Sequence, residues 1–471
     1  MASQNGSSAT KIYALIDYED RYVQPLILAA VEKRLPSHAL EYISSTSQVP
    51  SPSTRFLQWV QYESIDFDRL MEESSTTMAN AYIIRKALIR KHYLSTTIAN
   101  WITKYPDSVL KKHVKPSVEF EVDYAEFLDD ALIEAWELKE SWARNEELGD
   151  DDETAAKREW WILKPGMSDR GQGIRLFSTE EELTRIFEEW DPESDDDEDE
   201  QDDARSDDGS NVPLQHAKTE GSGIITSQLR HFIAQPYIHP PLLLTPPSST
   251  CSLESLRKFH IRTYVLSVGA LQVYVYRPML ALFAARPYSA PWAQALDSDR
   301  DEAMRAHLTN TCLQDTSDRE GSVGLFWSLP DELPAQPSPT YPIEAASWKQ
   351  DVFASICSIT SATFEAAARG MSTHFQPLPN AFEIFGLDFM VGVEADGELR
   401  TYLLEVNAFP DFRQTGGELS GVVQALFEGV VDKAVRPFFG IDRGDEDEDG
   451  TGGGDGKEEM VKVLDLDLGR R

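Results

Sequence analysis

Apolar and polar positions alternate along this chain with two periods, one suited to strands and the other to helices. Lys11 to Asp17 (KIYALID) is a short apolar run with strand character, and Tyr22 to Leu35 carries Val23, Leu26, Ile27, Ala30 and Val31 at helical spacing. A strand followed by a helix predicts a small α/β lobe at the start. Ser44 to Ser53 reads as a Ser/Pro/Thr linker, and Ala79 to Ile102 as an apolar helical stretch dotted with Arg85, Lys86, Arg90 and Lys91. Trp160 to Leu163 forms a strand that runs into Lys164-Pro165. A glycine-containing loop follows, and then a second strand with Ile174, Leu176 and Phe177. Phe232 to Ile238 is a strand, and Pro240 to Ser249 a proline-rich turn region. Arg257–Val268 and Leu271–Tyr276 predict a hairpin around Gly269, Ala345–Met371 a helix, and Ile384–Val393 with Glu398–Glu405 a hairpin around Ala395-Asp396-Gly397.

Charge changes this picture only locally. The net charge is −36 over 471 residues, but the runs Glu146–Glu153, Asp191–Asp208 and Asp445–Glu459 together hold −24, which leaves −12 for the remainder. Such runs repel themselves and stay solvated, so the expectation is a disordered acidic insert at about 191–220 and a flexible acidic tail at 441–471. A mildly acidic body without a basic stripe argues against nucleic-acid binding. Three scattered cysteines, Cys251, Cys312 and Cys357, fit neither a zinc site nor a disulfide framework. No apolar run approaches the roughly 18 residues of a membrane span. The expectation is a soluble, cytoplasmic protein with no membrane partner.

Three segments carry candidate chemistry. In FGLDFMV and TYLLEVNAF, period-two alternation points Glu405 and Asn407 the same way, and the hairpin brings Asp388 alongside them. Carboxylates in apolar strands are costly without a partner. A hard divalent cation such as Mg²⁺ is one such partner; a turn-capping Asp and a Glu paired with a lysine is the other reading. The stretch Lys164-Pro-Gly-Met-Ser-Asp-Arg-Gly171-Gln-Gly173 offers a lysine at a strand end and glycines whose N–H groups can approach a polyphosphate, or else a plain hairpin turn. Lys258, His260 and Arg262 fall on one face of a strand, as an anion site or as a solvated face.

Taken together, WILKPGMSDRGQGIRLF, RKFHIRTYVL, HLTN (His307–Asn310) and FEIFGLDFMVGVEADGELRTYLLEVNAFPDF resemble, in order, the tubulin–tyrosine ligase family of the ATP-grasp superfamily. The resemblance implies an α/β (α+β) ATP-grasp fold with a small N-terminal lobe (1–78) and a ligase domain (79–440) holding central and C-terminal lobes. It implies Mg²⁺ on Asp388, Glu405 and Asn407, and ATP phosphates on Lys164 and Lys258. Lys86 and Thr309 would reach the nucleotide, Gly171 and Gly173 would line it, and Gln235, Tyr237 and Ile238 would contact adenine. Arg262 would face the substrate carboxylate or γ-phosphate, so Lys258, Arg262 and Glu405 are the implied catalytic set. Such enzymes use ATP to join an amino acid, here tyrosine, to a protein carboxylate such as the tubulin C-terminus. Glutamate ligation is an alternative. So is a nucleotide-binding scaffold of cytoplasmic mRNA-decay bodies (P-bodies), to which fungal-type members have been linked. Two departures bear on the choice: His260 replaces the acid of the family's K-F-D-I/L-R, and Leu282 stands where the family carries an arginine.

Overall fold

The computed structural model describes residues 11–149, 152–166, 173–190, 230–247, 255–293, 300–309, 321–336, 347–417, 419–441 and 458–469. The chain divides into two compact units, one of Met1–Pro116 with Ile238–Arg471, the other of Ser117–Tyr237.

In the larger unit, β1 (Ile12–Asp17), β2 (Leu40–Tyr42), β3 (Phe56–Val60) and β4 (Thr77–Ala79) form a parallel sheet in the order β2-β1-β3-β4. Helix α1 (Val23–Arg34) returns the chain between the first two strands. β3 is buried along its whole length, as a strand covered on both faces must be, and such a continuous run carries no alternation to reveal it. The helical stretch expected over Ala79–Ile102 is interrupted. A single turn, Lys86–Ile89, ends at an extended Arg90 (φ −102°, ψ 121°), and α2 (Lys91–Lys104) starts anew.

The smaller unit holds β5 (Val118–Glu121), β6 (Trp161–Pro165), β7 (Arg175–Phe177) and β8 (His231–Pro236), antiparallel in the order β5-β8-β6-β7. Helices α3 (Leu128–Ala131), α4 (Trp136–Leu148) and α5 (Glu180–Trp190) bury Leu128, Leu138, Trp142, Leu183, Ile186 and Phe187 in one core with Val118, Phe120, Trp161 and Phe232. Trp161 is a packing residue, and its indole N–H donates to Ser141 Oγ at 2.8 Å.

The remaining strands lie in the larger unit: β9 (Leu243–Leu244), β10 (Arg257–Val268), β11 (Gln272–Tyr276), β12 (Leu280–Phe283), β13 (Val323–Leu325), β14 (Phe382–Val393), β15 (Leu399–Ala408) and β16 (Met460–Asp465). Both predicted hairpins form, as β10–β11 and β14–β15, and β10 also pairs antiparallel with β14. Helix α6 (Trp348–Gly370) packs its buried Ile356, Ile359 and Phe364 against this sheet. Helix α7 (Ser420–Val430) joins α1, β1 and β3 in a second core. Among the described residues no helix is long and apolar enough to cross a membrane.

Two domain boundaries drawn from sequence move. Residues 11–78 do not stand apart, because Leu57 and Trp59 share a core with Tyr264, Phe382 and Phe427. The tail is more than a flexible arm. Met460–Asp465 pairs antiparallel with β11, and Met460 is buried beside Gly429. Apolar positions in VKVLDL were hidden by the acidic run before them. The acidic insert at 191–220 and residues 442–457 lie outside the described residues.

One buried ion pair ties these strands to the chain ahead of them. Arg85 Nε lies 2.8 Å from Glu383 Oε1, and the Tyr82 N–H donates to Glu383 Oε2 at 3.1 Å. Burial pushes the Glu383 carboxyl up to about 8 against the opposing pull of Arg85. A folded-state value above the unfolded one means that the folded chain binds the extra proton. The contribution to stability is complete below about pH 4.5 and is lost as pH rises through about 8. Chemical denaturation at pH 6 and pH 8.5 is expected to show lower stability at the higher pH. The same pair of measurements on Glu383→Gln should show a smaller difference; an unchanged one would refute the assignment.

Candidate functional site

The acidic pair is set by register. Asp388 faces Glu405 across β14 and β15, and Gly386 faces Asn407. A β-bulge falls between Asp388 and Phe389, so Tyr402 pairs with Met390 while Glu405 pairs with Asp388. The extra residue re-aims the strand end, as bulges next to sites do. The Asn407 amide donates to Glu405 Oε1 at 3.2 Å and sits 3.4 Å from Asp388 Oδ2. The three predicted oxygen donors therefore form one cluster.

What occupies Asp388 was not legible in sequence. Arg262 lies opposite it on β10, and Nε and Nη2 reach Oδ1 and Oδ2 at 2.5 and 3.0 Å. Both side chains are buried. Gly386 makes room for this fork, since a Cβ there would lie 3.3 Å from Arg262 Cδ and 2.9 Å from Pro410 Cβ. Burial pushes the Asp388 carboxyl up to about 6, Arg262 opposes it, and the neighbouring Glu405 charge adds to it. Burial also works against the guanidinium, but Asp388 keeps Arg262 above its ordinary value, so it stays charged.

His260 is buried beside this pair. Its Nδ1 shares a 2.6 Å hydrogen bond with Thr309 Oγ1, and its Nε2 stands 3.7 Å from Asp388 Oδ1. Burial, with Arg262 and Lys258 nearby, pushes it down to about 3, so the imidazole is neutral. Lys258 is buried on the same strand. Burial first, and Lys258 next, also lower His239 to about 4 and His307 to about 3. All three imidazoles are therefore neutral near pH 7, and Lys258 contributes to lowering each of them. Leu282 pairs with His260 across β12 and is fully buried in the second core.

The N-terminal lysines are sorted by the break at Arg90. Lys91 Nζ lies 3.6 Å from Glu405 Oε2, whereas Lys86 is exposed at the start of its helical turn. The lysine partner foreseen for the glutamate exists, and it is Lys91, which the sequence offered only as one of the cations dotted along Ala79–Ile102. Helical spacing alone cannot choose between two lysines five residues apart when the helix stops between them. Along the face of β14 that holds Asp388, Ile238, Met390 and Tyr402 form a small apolar cluster with Leu404.

In the smaller unit, Lys164 Nζ donates to Gln235 Oε1 at 2.9 Å, and Gln235 Nε2 donates to Ser117 Oγ at 2.7 Å. The Tyr237 N–H donates to the Trp160 carbonyl at 2.7 Å. Gly173 has φ +72°, a left-handed turn that favours glycine. Gly171 and Asn310 lie outside the described residues.

Among the described residues no group of three or more His, Cys, Asp and Glu is arranged for a metal ion. The donors here are two carboxylates and one amide. A carboxylate has about four lone-pair positions, and Arg262 takes two of those on Asp388. Oxygen donors around two crowded carboxylates fit a hard divalent cation.

The chain is similar to known proteins over most of its length. The model of the tubulin-tyrosine ligase family matches residues 69–442. A probable tubulin–tyrosine ligase of Schizosaccharomyces pombe is 40% identical over 434 residues, covering 92% of this chain and 94% of that protein. The probable tubulin–tyrosine ligase PBY1 of Saccharomyces cerevisiae is 39% identical over 470 residues, 98% of this chain but 56% of its own length. Among solved structures, the C-terminal domain of Kluyveromyces lactis Pby1, described as an ATP-grasp enzyme interacting with the mRNA decapping enzyme Dcp2, superposes with a TM-score of 0.63. It is 34% identical and covers 97% of this chain and 99% of that domain.

Proposed function

Because this chain belongs to the tubulin–tyrosine ligase family and has the ATP-grasp fold, we propose that it is an ATP-dependent carboxylate–amine ligase. The observation that carries the reading is the register that sets Asp388, Glu405 and Asn407 together beside buried Arg262, with Lys258 buried further along the same strand. Asp388, Glu405 and Asn407 would hold Mg²⁺, whose charge would offset that of the ATP phosphates. Lys258 and Lys164 would neutralise phosphate oxygens. Gln235, Tyr237 and Ile238 would contact adenine, with Met390 and Leu404 as an apolar floor beside Ile238. Gly171, Gly173, Lys86 and Thr309 complete the proposed nucleotide contacts. Arg262, held by Asp388, would orient the acceptor carboxylate or the γ-phosphate. The acceptor carboxylate takes the γ-phosphoryl group, and the amine of the amino acid then displaces phosphate to leave an amide. The protein's part is positioning and charge neutralisation. Tyrosine is the amino acid and a tubulin C-terminus the acceptor on this reading, with glutamate the alternative.

A second reading is a nucleotide-binding protein that no longer ligates and serves a cytoplasmic decapping assembly. Two features favour it. The position of the family's arginine is a fully buried Leu282, and the K. lactis relative is described as interacting with Dcp2.

Melting with and without Mg-ATP, followed by incorporation of radiolabelled tyrosine or glutamate into detyrosinated tubulin, separates the readings. At about 100 times Kd, Mg-ATP is expected to stabilise the chain by about 2.7 kcal/mol, and Glu405→Ala should remove most of that gain. Incorporation should fall about a hundredfold or more in the same variant. Stabilisation without incorporation of either amino acid would favour the second reading; no stabilisation would defeat both.

A further inference from the structure

Where β15 ends, the chain takes a turn that its own residues disfavour. Phe409 has φ +48°, in the left-handed region that a bulky side chain rarely enters. It also precedes Pro410, and a proline pushes the residue before it toward extended backbone. Such conformations persist only where the surroundings over-determine them, and they gather at functional sites. The surroundings of Phe409 meet that condition. Its ring stacks on Tyr18 with 5.9 Å between centroids and 26° between planes, and the Arg85 guanidinium lies 5.7 Å from its centroid. Arg85 is itself fixed by Glu383 at 2.8 Å, by the Tyr62 ring at 3.8 Å, and by the Tyr82 carbonyl, to which Nη1 donates at 3.1 Å. Tyr18 follows β1 and Tyr62 follows β3, so the ends of the N-terminal parallel sheet supply part of the clamp.

The turn bears on the acidic cluster from two sides. Ala408 closes the pairing of β15 with β14, and the residue before it is Asn407, whose amide donates to Glu405 Oε1. A strand end frays from its last pairs, so a loose exit after Ala408 reaches Asn407 first. The turn also lays the buried Pro410 over Gly386, where a Cβ would meet Pro410 Cβ at 2.9 Å and Arg262 Cδ at 3.3 Å. Pro410 and the stem of Arg262 therefore share the space that this glycine leaves open. Beyond Pro410 the chain is pinned again, since the Phe412 ring lies 5.2 Å from those of Tyr264 and Phe427.

We propose that Phe409 is a positioning residue for the cation site: clamped by Tyr18 and Arg85, it holds the Asn407 carboxamide and the Arg262 stem in place beside Asp388 and Glu405. It acts through these neighbours and contacts no reacting atom. Supporting residues of this kind set the orientation of the ligands they brace, and losing one weakens metal binding about tenfold to a hundredfold. The inference rests on the proposed Mg-ATP site.

The test follows melting of the full chain at a fixed excess of ATP while Mg²⁺ is titrated. Phe409→Ala and Phe409→Gly are each expected to need about tenfold more Mg²⁺ for half of the stabilisation. Glycine adopts the left-handed turn freely, so a loss in both variants assigns the effect to the ring and not to the backbone. Phe409→Tyr keeps the ring and should match the unaltered chain. Phe409→Leu keeps apolar volume without a ring face; it should shift the Mg²⁺ requirement in the same direction, and it carries the test if the smaller residues disturb the fold. A lower melting temperature at an unchanged Mg²⁺ requirement would make Phe409 a packing residue only and overturn the proposal. So would an equal loss in Phe409→Tyr. If Mg-ATP fails to stabilise even the unaltered chain, the nucleotide site itself is refuted and this inference falls with it.

Discussion

Asp388→Ala is expected to cost about 3–5 kcal/mol of folding stability, as measured by urea denaturation, because it strands the Arg262 guanidinium in a buried strand. Arg262→Met should cost a similar amount by leaving the Asp388 carboxylate beside Glu405 without its fork. The double change, Asp388→Leu with Arg262→Met, should cost clearly less than the two losses combined, since an apolar pair removes both desolvated charges together. The comparison distinguishes a coupled pair from two independently placed residues; additive losses would refute the coupling. It also separates stability from ligand binding. The double variant should fold and yet show little stabilisation by Mg-ATP if Asp388 serves the cation as proposed.

Trp59→Ala is expected to lower stability by about 3–5 kcal/mol and to do so in a single transition of the larger unit. Trp59 is 1% exposed, and its ring meets Phe382 at 5.1 Å and Phe427 at 5.8 Å between centroids. Removing it opens a cavity where β3, the start of β14 and α7 share one core. Ion pairs from Lys33 and Arg34 to Glu428 tie α1 to the same helix. Far-UV circular dichroism with limited proteolysis checks this. An early transition confined to residues 11–78 would show that the N-terminal sheet folds apart from β14 and α7.

The site was legible where its information is local. Period-two alternation gives the shared direction of Glu405 and Asn407, and Gly397 with Asp396 marks the turn that sets Asp388 beside them. It was not legible where contacts join distant parts of the chain. Arg262 and Asp388 are 126 residues apart, and no spacing rule pairs them. The bulge beside Asp388 leaves no local signature in TYLLEVNAF, because a strand buried among apolar neighbours shows the same run with or without an extra residue. Lys91 rather than Lys86 reaches Glu405 because Arg90 is extended, which a helical pattern of apolar residues conceals.

By itself, then, the amino-acid order determined the strands and helices whose hydrophobic period is uninterrupted, the two hairpins around glycine turns, and the family through four ordered stretches. These depend on backbone geometry and neighbours within a turn or a strand. Tertiary structure alone decided which charges are neutralised and where cores end. It gave Arg262 to Asp388, made His260 neutral, buried Leu282, merged residues 1–78 into the larger unit and drew Met460–Asp465 out of an acidic tail into a sheet. Burial and the partner across a sheet fix those outcomes, and both are properties of residues far apart in sequence.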